Sequence, residues 1–208
     1  MLRSNVLIPC KPLSEGKSRL SQLLPARARY DLCASLLLQT LALARLVADP
    51  DRIFLVTADE SAAAQARALG VAVIADSANE LNGALELGRD HIQRHGQAGA
   101  DTLIVLPIDL PLADEAAIEK ALGPCDVTLA ADSRRSGTNL LALRGEAARY
   151  FPFSFGAGSF VRHRAIARRA GYSLTEVDDP ILAFDLDAPE DYLRASRLGL
   201  LKAGELAS

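Results

Sequence analysis

Asn5-Val6-Leu7-Ile8-Pro9-Cys10-Lys11-Pro12-Leu13-Ser14-Glu15-Gly16-Lys17-Ser18-Arg19-Leu20 is the stretch that decides the reading of this chain. Residues 5–8 are a short apolar run of strand type, ended by Pro9. The loop that follows carries three cations, Lys11, Lys17 and Arg19, around the single glycine Gly16. In open α/β sheets, ligands occupy the crevice beyond the carboxyl ends of the strands. Cations on the loop after a first strand therefore stand where a polyphosphate would bind, and the expected ligand is a nucleoside triphosphate.

Working outward, strand and helix patterns alternate. Pro25 opens a long helical stretch, 25–47, in which Leu32, Leu36, Leu37, Leu41 and Ala44 recur at helical spacing. Residues 52–57 read as a buried strand of parallel type, 60–69 as a short helix closed by Gly70, 71–75 as a strand, and 81–95 as a helix. A third buried strand, 102–107, precedes Asp109-Leu110-Pro111-Leu112. Then come a helix at 115–122, strands at 127–131 and 139–143, a helix at 159–170 closed by Gly171, a strand at 172–177 and a last helix at 189–198. This order predicts one domain over 1–208, of α/β class: a three-layer α/β/α arrangement with a mainly parallel, Rossmann-like sheet covered on both faces.

Composition narrows the function classes. The chain has 208 residues, half of them hydrophobic, and a formal net charge of −3, so no basic footprint for nucleic acid is present. Aromatic residues are scarce, which argues against base-stacking surfaces. Three widely spaced cysteines, Cys10, Cys33 and Cys125, form no metal-type pair and read as free thiols of a reducing compartment. The first residues lack the apolar core of a signal peptide. The most apolar run, 36–46, is interrupted by Gln39, Thr40 and Arg45, so no membrane span is expected. The expected location is the cytoplasm.

Two acidic segments are candidates for a metal. Asp109 lies just past the apolar strand 102–107, where a catalytic carboxylate would face the crevice; an ordinary turn or cap aspartate is the bland alternative. Asp185 and Asp187 alternate in Phe184-Asp187 and share a face if that segment is extended; Asp187 or Ala188 would otherwise simply cap the helix that Pro189 starts. Carboxylates from distant segments that meet near phosphates would hold Mg²⁺, which prefers oxygen ligands. The loop Asp132-Ser133-Arg134-Arg135-Ser136 leads into Gly137-Thr138-Asn139, a hydroxyl and an amide beside two guanidinium groups. Phe155-Gly156-Ala157-Gly158-Ser159-Phe160 opens a helix, and its backbone N–H groups could cradle a phosphate, with Ser159 as N-cap. His163 has no partner at metal spacing and reads as structural or as a substrate contact. His91 and His95 are four apart with no evident third ligand, and read as helix-surface residues. Walker, Gly-x-Gly-x-x-Gly, nucleophile-elbow and Cys–His signatures are all missing. Attack by a phosphate oxygen on an α-phosphorus needs none of them, because the nucleophile is already an anion.

Together these pieces resemble the phospholactate guanylyltransferases of coenzyme F420 biosynthesis, within the nucleotidyltransferase superfamily that includes the molybdenum-cofactor guanylyltransferases. The resemblance rests on Pro9-Cys10-Lys11-Pro12-Leu13 with Gly16-Lys17-Ser18-Arg19-Leu20, Asn82-Gly83-Ala84-Leu85, Asp109-Leu110-Pro111-Leu112, Gly137-Thr138-Asn139, Phe155-Gly156 with Gly158-Ser159-Phe160 and His163, and Asp185-Leu186-Asp187 with Pro189-Glu190-Asp191. These span nearly the whole chain in order. The superfamily's glycine-rich first loop is reduced here to Gly16.

The resemblance implies a fold of the nucleotide-diphospho-sugar transferase type and a homodimer. It implies transfer of GMP from GTP to 2-phospho-L-lactate, phosphoenolpyruvate or 3-phospho-D-glycerate, with release of diphosphate and hand-off to a downstream F420 transferase. By resemblance, Lys17, Asp109 and Asp187 are catalytic. Lys11, Arg19, Asn82 and Pro111 are expected on the nucleotide; Lys17, Thr138, Asn139, Gly156 and Ser159 on the acceptor. Asp109, Asp187 and Asp185 are expected on Mg²⁺. The alternatives are another nucleotidyltransferase, such as a molybdenum-cofactor guanylyltransferase, a glycosyltransferase that holds its sugar nucleotide through Asp185-Leu186-Asp187, and a non-catalytic nucleotide sensor.

Overall fold

A computed structural model describes residues 4–78, 80–96 and 101–201. One of its inner strands is β1 (Ser4–Cys10), whose side chains alternate between two apolar layers: Val6, Ile8 and Cys10 join one core, and Leu7 joins the other. Around it lie β2 (Ile53–Thr57), β3 (Ala72–Ala75), β4 (Thr102–Val105), β5 (Val127–Ala131), β6 (Thr138–Arg144) and β7 (Leu174–Val177). The sheet order is β3-β2-β1-β4-β6-β5-β7. From β1 the chain steps outward to β2 and β3, then returns to place β4 on the other flank. The switch point, where such sheets bind ligands, is thus between β1 and β4.

All pairings are parallel except those of β6, which runs antiparallel to both β4 and β5. The sequence pattern does not reveal that reversal. Its consequence is functional: the start of β6, Thr138 and Asn139, lies at the same end as the carboxyl ends of the parallel strands.

Strand β1 runs two residues beyond the expected end and includes Pro9. The β1–β4 ladder ends at Leu7, whose carbonyl faces β4 and accepts from Leu106. Pro9, two residues on, faces the same side, where no partner strand remains, so its missing N–H costs no ladder bond.

The helices are α1 (Ala26–Val47), α2 (Glu60–Ala68), α3 (Leu81–His95), α4 (Glu115–Ala121), α5 (Glu146–Tyr150), α6 (Ser159–Ala170) and α7 (Pro189–Arg197). Helix α5 was not anticipated; its five residues carry too little periodicity to read. Asp59 and Asp114 cap α2 and α4 by accepting from Ala62 and Ala117. Helix α1 is long and apolar enough to cross a membrane by length and composition. Its apolarity is used in the fold: Leu32, Leu36, Leu37, Leu41 and Ala44 are buried, each leucine contributing on the order of 2 kcal/mol. Residues from α1, α2 and α4 fill one core, and residues from α3, α5 and α6 fill the other. A third cluster joins Leu20, Leu24, Leu32 and Leu36 to Phe184, Leu186 and Tyr192. It fastens the cationic first loop to the acidic C-terminal segment. Of the apolar tail 198–206, residues 202–206 lie outside the described residues; Leu200 and Leu201 pack against this third cluster.

Candidate active site

The first loop is tied down at three points. The Leu13 N–H donates to Asp59 Oδ2 at 2.8 Å. Lys17 Nζ lies 3.4 Å from Asp109 Oδ2, and Arg19 Nη1 pairs with Asp187 Oδ2. The two pairs differ in weight. The Lys17 side chain is 7% exposed, so its charge is poorly screened, whereas Arg19 is 72% exposed and its pair contributes about 1 kcal/mol at most. Lys17 sits in the left-handed region, φ 52°, a conformation usually left to glycine, and this directs its ammonium inward. Gly16 is required for a different reason: a Cβ there would lie 2.4 Å from Cys33 Sγ on α1. Its place in the loop is set by close packing rather than by backbone freedom.

The two acidic segments meet. The Leu186 N–H donates to the Asp109 carbonyl at 2.8 Å. Asn139 Nδ2 donates to the Leu182 carbonyl at 2.9 Å and approaches Asp185 Oδ1 at 3.5 Å. Burial, and then the neighbouring charge of Asp109, hold the Asp185 carboxyl above the usual carboxylate range. Asp187 caps nothing: the helix cap is Ala188, and Asp191 accepts from the N–H groups of Asp187 and Ala188. The Asp187 carboxylate is thereby left to the cavity.

That cavity has a volume of about 380 Å³ and is lined by Lys11, Lys17, Arg19, Asp109, Asp187 and Phe155, among others. A second recess of about 280 Å³ shares Lys11, Pro12, Glu15 and Leu81 with it and adds Asp76 and Glu80. These two carboxylates escaped the sequence reading, because each sits in a turn where a capping role explains it. Asp76 Oδ1 does accept from Ala78, and Glu80 Oε1 from Gly83, but each keeps a second oxygen. A larger hollow, about 760 Å³, opens at the opposite end of the sheet around Asn5, Arg89 and Tyr150. It lies at the starts of β1 and β4, the end that parallel sheets do not use for ligands.

Several expected contacts are placed differently. Asn82 does not face the cavity with a free amide: its Oδ1 accepts from Phe155 N at 2.7 Å and its Nδ2 donates to Phe155 O at 3.3 Å. Its bonds are spent tethering that loop to α3. Pro111 lies beside Gln39, Thr40 and Leu43, next to Leu110, which is drawn into the core. Thr138, Asn139 and Ser159 are buried and do not line the 380 Å³ cavity, and Gly156 is exposed. Ser159 is the first residue of α6 rather than its cap, which is Gly158 at φ 73°. The N–H groups of Ser159 and Phe160 already donate to the carbonyls of Gly156 and Ser136, so much of the expected backbone cradle is closed. Ser159 Oγ instead accepts from Thr138 N at 2.9 Å.

His163 is fully buried between Phe151 and Phe155. Burial, and then the charge of Arg162, push its pKa down to about 4. His91 and His95 face each other on α3 with ring centroids 4.9 Å apart. Among the described residues no group of three or more His, Cys, Asp or Glu could hold a metal by itself. The thiols of Cys10 and Cys33 are not nucleophiles, since burial pushes the first up to about 12 and raises the second.

Comparison with known proteins fits this geometry. The family model described as "Guanylyl transferase CofC like" matches residues 4–197. The chain belongs to this guanylyl transferase family. A phosphoenolpyruvate guanylyltransferase of Chloroflexus aggregans is 43% identical over 192 residues, which are 89% of this chain and 93% of the relative. A 2-phospho-L-lactate guanylyltransferase of Methanothermobacter thermautotrophicus is 32% identical over 195 residues, 91% of this chain and 82% of the relative. Among solved structures, a nucleotidyl transferase of Methanothermobacter thermautotrophicus superposes with a TM-score of 0.61 at 20% identity, covering 95% of this chain and 96% of that one. A cytidylyltransferase of Leptospira borgpetersenii superposes with a TM-score of 0.62 at 13% identity, covering 100% and 91%. At those identities the structures speak for the fold alone. The CofC-like family and its nucleotidyltransferase fold agree with the three-layer α/β/α expectation.

Proposed function

We propose that this chain transfers GMP from GTP to a small phosphorylated three-carbon acid and releases diphosphate, a step of coenzyme F420 biosynthesis. The observation that carries the reading is the convergence of Lys11, Lys17 and Arg19 with Asp109 and Asp187 on one cavity at the switch point, in a chain whose relatives are named guanylyltransferases. Phosphoenolpyruvate is the first acceptor to try, with 2-phospho-L-lactate and 3-phospho-D-glycerate beside it. The first two carry the phosphate on C2 and differ by a methylene against a methyl, a small basis for discrimination, whereas 3-phospho-D-glycerate carries it on C3.

In the reaction an oxygen of the acceptor's phosphate forms a bond to the α-phosphorus of GTP, and the bond from that phosphorus to the α–β bridging oxygen breaks. Lys11, Lys17 and Arg19 neutralise the triphosphate and the departing diphosphate. Binding moves Lys17 and Arg19 from the carboxylates they touch here toward phosphate oxygens. In the second recess, Asp76 and Glu80 each keep an oxygen with no hydrogen bond among the described residues, which could accept from the N–H edge of guanine; cytosine and uracil do not present that edge in the same form.

The donor set fits Mg²⁺. Asp109 and Asp185 are an oxygen-only pair whose charges oppose each other; they and Asp187, which lines the same cavity as Asp109, would hold the ion, with phosphate oxygens and water completing its shell. When bound, Mg²⁺ supplies charge neutralisation and alignment of the α-phosphate. The test is the fate of label. GTP labelled at the α-phosphate should pass its label to the acid, and γ-labelled GTP should deliver its label to diphosphate. GDP left behind, with the γ-label on inorganic phosphate or on the acid, would mean attack at the γ-phosphorus and would contradict this reading.

A further inference from the structure

His163 occupies a position that neither its burial nor its packing explains fully. Its Nε2 lies 2.9 Å from the backbone nitrogen of Ser154, and its Nδ1 lies 3.0 Å from Thr138 Oγ1. The Ser154 N–H can only donate, so Nε2 must carry the lone pair. In a neutral ring the proton is then on Nδ1, and Nδ1–H donates to Thr138 Oγ1. Among the described residues no acceptor remains for the Thr138 hydroxyl proton. The same holds next door: Ser159 Oγ accepts from the Thr138 N–H, which leaves the Ser159 hydroxyl proton to be given elsewhere. Two hydroxyl groups are thus turned into donors by their neighbours.

We propose that His163 is a positioning residue of the acceptor site, which fixes the Thr138 hydroxyl as a donor to the ionised phosphate or carboxylate of the acceptor acid. The inference rests on the reading of Thr138 and Ser159 as acceptor contacts. The same imidazole also holds the cavity wall: it accepts from Ser154, one residue before Phe155, while Arg162 donates to Ser154 Oγ and O, and Asn82 bonds Phe155 from α3. The wall keeps its ties to Arg162 and Asn82 when the ring is replaced, so the distinct effect of the ring is on the polarity of the Thr138 hydroxyl. A site of donors alone accepts a fully ionised group and rejects a protonated or neutral one, because the latter would bring a hydrogen against a hydrogen.

The test is a double-mutant cycle read as separate KM values, with Mg²⁺, GTP and the acid that supports turnover among phosphoenolpyruvate, 2-phospho-L-lactate and 3-phospho-D-glycerate. Thr138→Val should raise the acceptor KM about tenfold or more, the loss of one hydrogen bond to a charged group, and leave the GTP KM within about twofold. His163→Phe, which keeps a ring between Phe151 and Phe155, should do the same. The double variant should be no worse than Thr138→Val alone, because the imidazole acts through the hydroxyl. His163→Asn, whose amide can place a donor near the Nδ1 position, should recover much of the acceptor affinity. Multiplied effects in the double variant, equal rises in both KM values, or an unchanged acceptor KM would overturn the proposal. If His163→Phe does not fold, the ¹⁵N spectrum of the wild-type imidazole decides: a protonated Nδ1 and a bare Nε2 support it, and the opposite tautomer overturns it. Wild-type protein inactive with all three acids would instead remove the guanylyl-transfer reading beneath it.

Discussion

Acidification should destabilise this protein through His163, by an amount that can be worked out. The folded ring takes up its proton near pH 4, where an unfolded histidine does so near 6.5. As pH falls, the unfolded chain therefore binds the proton first, and stability drops from about pH 6.5 until about pH 4, below which both states are protonated. At roughly 1.4 kcal/mol per pH, the full loss is about 3 kcal/mol, of which about 2 kcal/mol is reached by pH 5. Two other groups act in this range. The shift of His91 has the same sign and arises mainly from partial burial, and the raised Asp185 acts in the opposite sense, since its folded form takes up a proton first. Both are present in a His163→Asn variant, so comparison with that variant cancels them. The assay is urea unfolding followed by circular dichroism at pH 7, 6 and 5 for both proteins. Wild type should lose about 2 kcal/mol more than the variant between pH 7 and 5. Parallel curves would refute the argument that burial keeps this ring neutral.

Asp109→Asn should abolish diphosphate release while circular dichroism keeps its native shape, with a lowered unfolding midpoint because the buried Lys17 loses its partner; normal turnover in the folded variant would remove this carboxylate from the site. Gly16→Ala should cost about 1–3 kcal/mol by driving a methyl against Cys33 Sγ, and Cys33→Ala in the same chain should restore much of it in urea titrations. Asp76→Asn should weaken the preference for GTP over CTP and ATP about tenfold, read from kcat/KM for each nucleotide, with no change in the acceptor KM. Ser159→Ala should raise the acceptor KM more than that of GTP; an effect confined to GTP would move Ser159 to the nucleotide side.

The alternation of apolar runs with helical periods was enough to place the strands and the longer helices within one or two residues, since both depend on local patterning. The helices at 159 and 189 begin where expected, with Gly158 and Ala188 as their caps. The antiparallel course of β6 was not legible, because a buried strand reads the same in both directions, yet it is what carries Thr138 and Asn139 to the site. The cations Lys11, Lys17 and Arg19 and the carboxylates Asp109, Asp185 and Asp187 could be picked out because charge beside strand ends is conspicuous. Their pairing could not, since it depends on the third apolar cluster folding residue 186 back against the first loop. Asn82 and Pro111 illustrate the converse. Their residue types suit a binding loop, but here one bonds the Phe155 backbone and the other follows a leucine pulled into the core.

The most direct test of guanylyl transfer is diphosphate release from GTP and Mg²⁺ measured with phosphoenolpyruvate, 2-phospho-L-lactate, 3-phospho-D-glycerate and no acid, with the product masses identified. Release that depends on one acid, with a product equal to that acid plus GMP, is the predicted result. Bound GTP with no release for any acid would contradict it.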